Sequence, residues 1–153
     1  MQPKFNRSTV IIYSSARKNG NTKSHVMSFA EQNRVHGVCL DDYKITPYCY
    51  SKNYKDDDFY KVFESLLKYQ HWVFASPVYW YNTTVQFKAF MDRMTDYMDD
   101  ENVRPKLREL RDKDFSLLSN SASLQTPDTL VQIFRQTFSY LGMQFISHHH
   151  KQY

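Results

Sequence analysis

Two stretches of this chain bring together side chains able to grip a ligand. The first is Ser14-Ser15-Ala16-Arg17-Lys18-Asn19-Gly20-Asn21-Thr22, which follows an apolar run and opens a helical pattern. A helix N-terminus presents unpaired N–H groups and a partial positive charge, and both attract anions. Ser15, Asn21 and Thr22 add side-chain donors, Arg17 offers a charge-assisted contact, and Gly20 lets the backbone turn closely against a ligand. The spacing is not that of a Walker loop. The glycines Gly20, Gly37 and Gly142 are too scattered for a dinucleotide fingerprint. An ordinary capped strand-to-helix turn has the same composition, so phosphate binding and simple capping both fit this loop.

The second stretch is Val73-Phe74-Ala75-Ser76-Pro77-Val78-Tyr79-Trp80, an apolar run ending in a proline and two aromatics just before a helix. In a parallel sheet, ligands dock in the crevice beyond the carboxyl ends of the strands. Aromatic side chains there suit a flat conjugated ligand, although Tyr79 and Trp80 could also be core aromatics beneath a loop. A phosphate site and a flat-ring site on two strand ends together suggest a flavin mononucleotide.

The elements that must position these loops alternate regularly. Thr9–Tyr13 reads as a buried strand, and Asn21 or Thr22 caps a helix reaching about Gln32 with Val26, Phe29 and Ala30 inward. Val35–Leu40 is a second strand, and Asp57 or Asp58 starts a helix with Phe59, Val62, Phe63, Leu66 and Leu67 on one face. Trp72–Ser76 is the third strand. Phe87, Phe90, Met91, Met94, Tyr97 and Met98 predict one further helix, ended by Asp99-Asp100-Glu101 and Arg104-Pro105. Phe115–Ser119 is the fourth strand. Thr126 caps a helix with Pro127 at its first position and Gly142 at its stop, and Met143–Ser147 is the fifth strand.

Such alternation builds a parallel sheet with right-handed crossovers. The expected fold is an α/β, flavodoxin-like three-layer sandwich, one domain over 1–153, with a five-stranded parallel sheet in order 2-1-3-4-5. Only about six residues follow the fifth strand, so the closing C-terminal helix is missing. A second subunit in a homodimer, or an atypical helix placement, must then cover that apolar face.

Bulk properties narrow the partners. The 153 residues carry a net charge of +4, but the basic residues are interleaved with acids, so no nucleic-acid surface is expected. No apolar run is long enough for a bilayer, and Met1–Ser8 is too polar for a secretory signal. Cys39 and Cys49 are too few for a disulfide framework, which favours a reduced, cytoplasmic setting. They are also too few for the four thiolates of an iron–sulfur cluster, and no Cys/His pair has zinc spacing, so no metal is expected. His148-His149-His150 reads as a solvated tail or tag remnant, because neighbours in an extended segment point to opposite faces.

The loop Ser15-Ala16-Arg17-Lys18-Asn19-Gly20-Asn21-Thr22 resembles the Ser-x-Arg-x-x-Gly-Asn-Thr loop of the NADPH-dependent FMN reductase and NAD(P)H-quinone oxidoreductase families. Pro77-Val78-Tyr79-Trp80 and Lys88-Ala89-Phe90-Met91-Asp92-Arg93 are similar to their Pro-Val-Tyr-Trp and Lys-x-Phe-x-Asp-Arg segments. The likeness spans roughly Thr9 to Met94, and the C-terminal third matches by layout. The resemblance implies an enzyme that passes hydride from NAD(P)H through bound FMN to a quinone, free flavin or similar small acceptor. It assigns Ser15, Arg17, Asn21, Thr22 and Lys23 to the phosphate, and Pro77, Val78, Tyr79 and Trp80 to the flavin ring, whose polar edge backbone N–H groups would meet. A third contact, from the loop after strand four, corresponds to Ser119 and Ser121, where relatives often have glycines. The cofactor carries the chemistry, so no catalytic side chain is expected. Asp92 and Arg93 read as structural. The rival reading, a flavodoxin-type electron-transfer protein, fits poorly with a basic chain, since such carriers are usually strongly acidic.

Overall fold

A computed structural model describes residues 8–153. The elements run β1 (Thr9–Tyr13), α1 (Asn21–Asn33), β2 (His36–Cys39), α2 (Phe59–Leu66), β3 (His71–Pro77), α3 (Val85–Asp92), α4 (Met94–Asp99), α5 (Arg104–Arg108), β4 (Asp114–Ser121), α6 (Asp128–Tyr140) and β5 (Gln144–Gln152). Short 3-10 turns cover Leu40–Asp42 and Glu109–Asp112. All strand pairs are parallel, and the sheet order is β2-β1-β3-β4-β5, as the alternation of elements predicts.

Period-two alternation divides the sheet into two faces. Val10, Ile12, Trp72, Phe74, Phe115 and Leu117 face one layer with Phe59, Phe63, Phe87, Phe90, Phe134 and Phe138 from α2, α3 and α6. Phe74 is the hub: its ring stacks 4.1 Å from Phe138 and meets Phe134, Phe87 and Phe115 within 6 Å. Ile11, Val73, Ala75 and Leu118 face the other layer, where Val26 of α1 packs. The first turn of α1 reaches β4, since Thr22 Oγ1 donates to Asn120 Oδ1 at 3.0 Å. A single helix thus lies across the middle of this face.

Four local expectations are corrected. The helix over Phe87–Met98 breaks at Arg93 into α3 and α4, with a tightened turn in which Asp96 N–H bonds Arg93 O at 3.0 Å. Helix α6 starts after Pro127, and Thr126 does not cap it, because its hydroxyl turns to Ser119 and His150. Asp58 occupies the cap position of α2, but its Oδ2 accepts the Lys44 N–H at 2.9 Å instead of capping the helix, and Asp57 Oδ1 accepts the Phe59 N–H at 2.9 Å. The fifth strand is longer than its apolar residues announce: His148, His149 and His150 lie within β5, opposite Leu117, Leu118 and Ser119 of β4. They are not a tail. Backbone pairing extends this strand where side-chain hydrophobicity cannot.

Gly142 ends α6 at φ +97°, a conformation that L side chains resist. Gly142 N–H bonds Ser139 O at 3.0 Å and Met143 N–H bonds Phe138 O at 2.9 Å, the two bonds of a Schellman ending.

Arg93 explains the break between α3 and α4. Its side chain is wholly buried; Nε donates to Asp96 at 2.7 Å, and Nη1 donates to Asp57 and to Thr46 O, each at 2.9 Å. The guanidinium carbon lies 3.4 Å from the centre of the Tyr54 ring. Tyr54 and Tyr60 hydroxyls donate to Asp96, so both carboxylates are satisfied. The network clamps the long 43–58 segment onto α3 and α4, and through them steadies the loops at the carboxyl end of β3. Burial pushes the Asp57 carboxyl up, but Arg93 and the N–H groups of Thr46 and Phe59 outweigh it, leaving a pKa of about 2.

Removing Arg93 would strand two buried carboxylates. Arg93→Met is expected to destabilise the fold by about 3–5 kcal/mol in urea unfolding. Because the folded Asp57 pKa lies below the ordinary 3.8, its contribution is complete above about pH 4 and disappears as pH falls through about 2. Between those limits the wild type should lose about 2 kcal/mol that Asp57→Asn does not; parallel unfolding series at pH 2 to 5 would measure the difference.

Candidate functional site

β1 and β3 are adjacent, so the loops that follow them leave the sheet side by side. Between them opens a cleft of about 410 Å³, whose walls include Ser15, Arg17, Asn21, Thr22, Pro77 and Tyr79. Six of the residues that the sequence assigned to the cofactor therefore converge. Asn19, Gly20, Asn120 and Tyr153 complete the lining.

The phosphate-type wall is the start of α1. Gly20 is its N-cap, in extended conformation, with no side-chain cap and no acidic residue in the first turn. The first intrahelical bond is Ser24 N–H to Gly20 O at 3.1 Å, so the first-turn N–H groups of Asn21, Thr22 and Lys23 have no intrahelical acceptor. Asn21 and Thr22 were the expected caps. Instead both lie inside the helix, where Thr22 turns its hydroxyl to Asn120, and the glycine at the cap position, having no side chain, leaves the helix end open.

The loop before α1 is braced from behind. Ser15 N–H donates to Asp41 Oδ2 at 2.8 Å, and Ser14 Oγ donates to Asp41 Oδ1 at 3.2 Å. Ser14 Oγ also lies 2.6 Å from Thr84 Oγ1, which in turn caps α3 by accepting the Phe87 N–H at 3.1 Å. Ala16 N–H donates to the Tyr79 hydroxyl at 3.3 Å, so the aromatic loop touches the polar one directly. Asp41 lines a separate small pocket of about 70 Å³ with Cys39 and Lys23, outside the cleft. Burial pushes the Cys39 thiol up, which keeps it protonated.

The aromatic loop is a two-residue hairpin. Tyr79 and Asn82 exchange N–H···O bonds of 2.8 and 2.9 Å, and Trp80 and Tyr81 both have positive φ, 47° and 67°. That is the backbone of a type I′ turn, normally given to Asn-Gly. Thr129 Oγ1 donates to Tyr81 O at 2.9 Å and ties the hairpin to α6. Trp80 stands 93% exposed at the tip, so it is neither a core aromatic nor part of the cleft wall. The Val78 N–H is taken by Asn120 O at 3.2 Å and the Tyr79 N–H by Asn82 O, so neither of these expected donors is free.

The remaining predicted residues lie nearby but turn elsewhere. Lys23 Nζ donates to Asn19 Oδ1 at 3.3 Å, on the far side of the loop from the cleft. Ser119 Oγ is buried among Thr126 at 2.5 Å, His148 at 2.8 Å and His150 at 2.9 Å. Ser121 Oγ lies 3.2 Å from His150 Nε2. Along β4 these serines share the parity of Phe115 and Leu117, so they face away from α1, and Asn120 between them faces the cleft. Strand alternation was the available signal for Asn120. No sequence signal pointed to Tyr153, which reaches the cleft because β5 pairs with β4 as far as Gln152 and the Tyr153 N–H donates to Ser121 O at 3.1 Å. Among the described residues no three His, Cys, Asp or Glu side chains gather as a metal site, and no helix is long and apolar enough to cross a membrane.

An uncapped helix start, Arg17, and an adjoining wall of Pro77 and Tyr79 match the two ends of FMN in charge and shape. The residues present fit that cofactor.

Comparison with known proteins supports this reading. The family model for NADPH-dependent FMN reductase matches residues 8–150. No curated protein sequence matches the chain. Among solved structures, the Trp repressor binding protein from Bacillus subtilis superposes with a TM-score of 0.76 at 18% identity, covering 95% of this chain and 84% of that one. An NADPH-quinone reductase from P. pentosaceus gives 0.65 at 13% identity, over 96% of this chain and 85% of the other. An FMN-dependent NADH-azoreductase from Bacillus anthracis, solved with FMN, gives 0.67 at 9% identity, over 94% and 87%. At such identities these structures share the fold alone, whereas the family model extends through nearly the whole chain. The chain belongs to the NADPH-dependent FMN reductase family, and is an NAD(P)H-dependent oxidoreductase with FMN as its cofactor.

Proposed function

We propose that this protein takes reducing equivalents from NAD(P)H and delivers them to a quinone, a free flavin or a similar small aromatic acceptor. The observation that carries the proposal is the uncapped start of α1, with Arg17 beside it and the Pro77–Tyr79 wall across the cleft. Bound FMN supplies the hydride chemistry. The protein binds, orients and shields.

In this reading Ser15, Arg17, Asn21 and Thr22 hold the phosphate, and the α1 dipole favours its charge. Pro77 and Tyr79 flank the ring system, with Asn120 as an added polar contact. Lys23 contributes positive charge without direct contact. Val78 supports the wall from beneath through its bond to Asn120 O. Ser119 and Ser121 hold the strand end that presents Asn120, through their bonds to the β5 histidines. Residues 1–153 act as one cytoplasmic domain, and two copies associate. Support for association comes from Met27, 54% exposed on α1, and Ile146, 44% exposed on β5, apolar side chains left open beside the helix-poor face.

The hairpin tip belongs to the acceptor side of the reaction. Left-handed backbone costs an L-residue roughly 1–2 kcal/mol, and here consecutive bulky residues adopt it. Strain held at a cleft mouth keeps the Trp80 indole outward, where an aromatic acceptor approaches.

Several measurements test these assignments. Purified protein given FMN should be yellow, and anaerobic NADPH alone should bleach the visible flavin band; bleaching that waits for an added reductase would instead mark an electron carrier. Arg17→Ala should weaken FMN binding by about tenfold or more, from a charged contact worth roughly 1.5–3 kcal/mol, and unchanged affinity would refute the phosphate assignment. Tyr81→Gly should raise the unfolding free energy by about 1 kcal/mol by relieving the positive φ, while lowering turnover with aromatic acceptors. Light scattering should report a dimer.

A further inference from the structure

A second cavity, of about 310 Å³, opens between the α5 region and the end of α6. Arg104, Arg108 and Arg111 supply its charge, and Leu107, Leu141 and Tyr140 its apolar surface. β4 begins at Asp114, just beyond Arg111, and β5 begins at Gln144, just beyond Leu141. The cavity therefore lies at the amino ends of these strands, whereas the FMN cleft lies at the carboxyl ends.

The lining holds three guanidinium groups and no carboxylate. Ion pairs among the described residues engage Lys52, Lys88, Arg93 and Lys106, but none engages these arginines. Nor are they needed to cap α6, whose last turn is closed by its own Schellman bonds. Two of the three side chains, Arg104 and Arg111, are nonetheless held in place. Arg104 Nε donates to Met98 O at 2.9 Å. The Arg111 stem packs against Gly142, where an added Cβ would stand 2.6 Å from its Cγ. Like charges lining one cavity repel, and a bound anion would relieve that repulsion.

We propose that this cavity binds an organic phosphate. Guanidinium forks match phosphate oxygens bidentately, so Arg104, Arg108 and Arg111 grip the anionic end. The body of the ligand lies on Leu107 and Leu141 against the Tyr140 ring, which is 77% exposed and free to stack. The volume sits at the small end of the roughly 300–1,000 Å³ usual for small-molecule sites. Because the cavity lies at the opposite end of the sheet from the cleft, a ligand held there is no reactant in the flavin chemistry.

The test is calorimetric titration of the FMN-loaded protein with ADP and, separately, with inorganic pyrophosphate. ADP should bind with one-to-one stoichiometry and about tenfold more tightly than pyrophosphate, which lacks a body to bury. The Arg108→Ala/Arg111→Ala double variant should weaken ADP by at least about tenfold, with FMN retention and the unfolding midpoint unchanged. Should that variant fail to fold, Arg108→Gln alone is expected to weaken ADP severalfold and serves the same test. Absence of ADP binding at millimolar concentration, equal affinity for ADP and pyrophosphate, or unchanged ADP affinity in the folded variant would overturn the proposal.

Discussion

Adjacency of β1 and β3 in a parallel sheet is the constraint on which this site depends. Right-handed crossovers carry the chain away from β1 to the sheet edge at β2 and then back past it to β3. The loops after β1 and β3 must then leave the same end of the sheet as neighbours, and no helix lies between them. The Ala16–Tyr79 and Ser14–Thr84 contacts are local consequences of that placement. So is the Thr22–Asn120 bond, which ties the first turn of α1 to β4. The helix end itself stays open because its cap, Gly20, carries no side chain.

Around the open helix end, rigidity is built from paired polar groups. Asp41 braces the first loop from outside the cleft, so its carboxylate orders the backbone without lining the space where a phosphate would sit. Arg93 performs the larger version of the same task, joining the long segment after β2 to the helices after β3. Buried ion pairs add little net stability compared with apolar packing, but an unpaired member is severely penalised, so such a network admits few alternative arrangements. The hairpin of Tyr79–Asn82 contrasts with both. It carries backbone strain instead of satisfied polarity, held by its reciprocal hydrogen bonds and by Thr129. Its aromatic tip projects into solvent beside a cleft whose walls are well braced.

At its last strand the sheet shows how a polar sequence can be structural. His148 and His150 would not be chosen for a strand on hydrophobicity, yet their rings meet Ser119, Ser121 and Thr126 across and beyond β4. Burial and the neighbouring histidines push the His148 pKa down, favouring a neutral ring that suits this hydroxyl-lined setting. The same pairing carries Tyr153 to the cleft. A segment that looks like a solvated end thereby becomes part of the site wall.

Much of this architecture is legible in the chain itself. Runs such as Thr9–Tyr13 and Phe115–Ser119, and helical stripes such as Phe59–Leu66, follow local periodicity, and their alternation restricts the sheet to very few orders. The two loops are legible for the same reason, since a Gly-containing polar turn and a Pro-aromatic turn are each encoded by adjacent residues. Whatever depends on contacts distant in sequence was decided only by the folded chain. Arg93 breaks a helix because Asp57, 36 residues away, fixes its guanidinium. Asn120 lines the cleft while Ser119 and Ser121 face away because only one strand parity faces α1, and Thr22 finds its partner 98 residues on. Trp80 turns outward because a two-residue hairpin imposes positive φ at its tip. Periodicity and turn chemistry act over a few residues and can be read from sequence, whereas the direction of a polar side chain depends on which partner the fold brings within 3 Å.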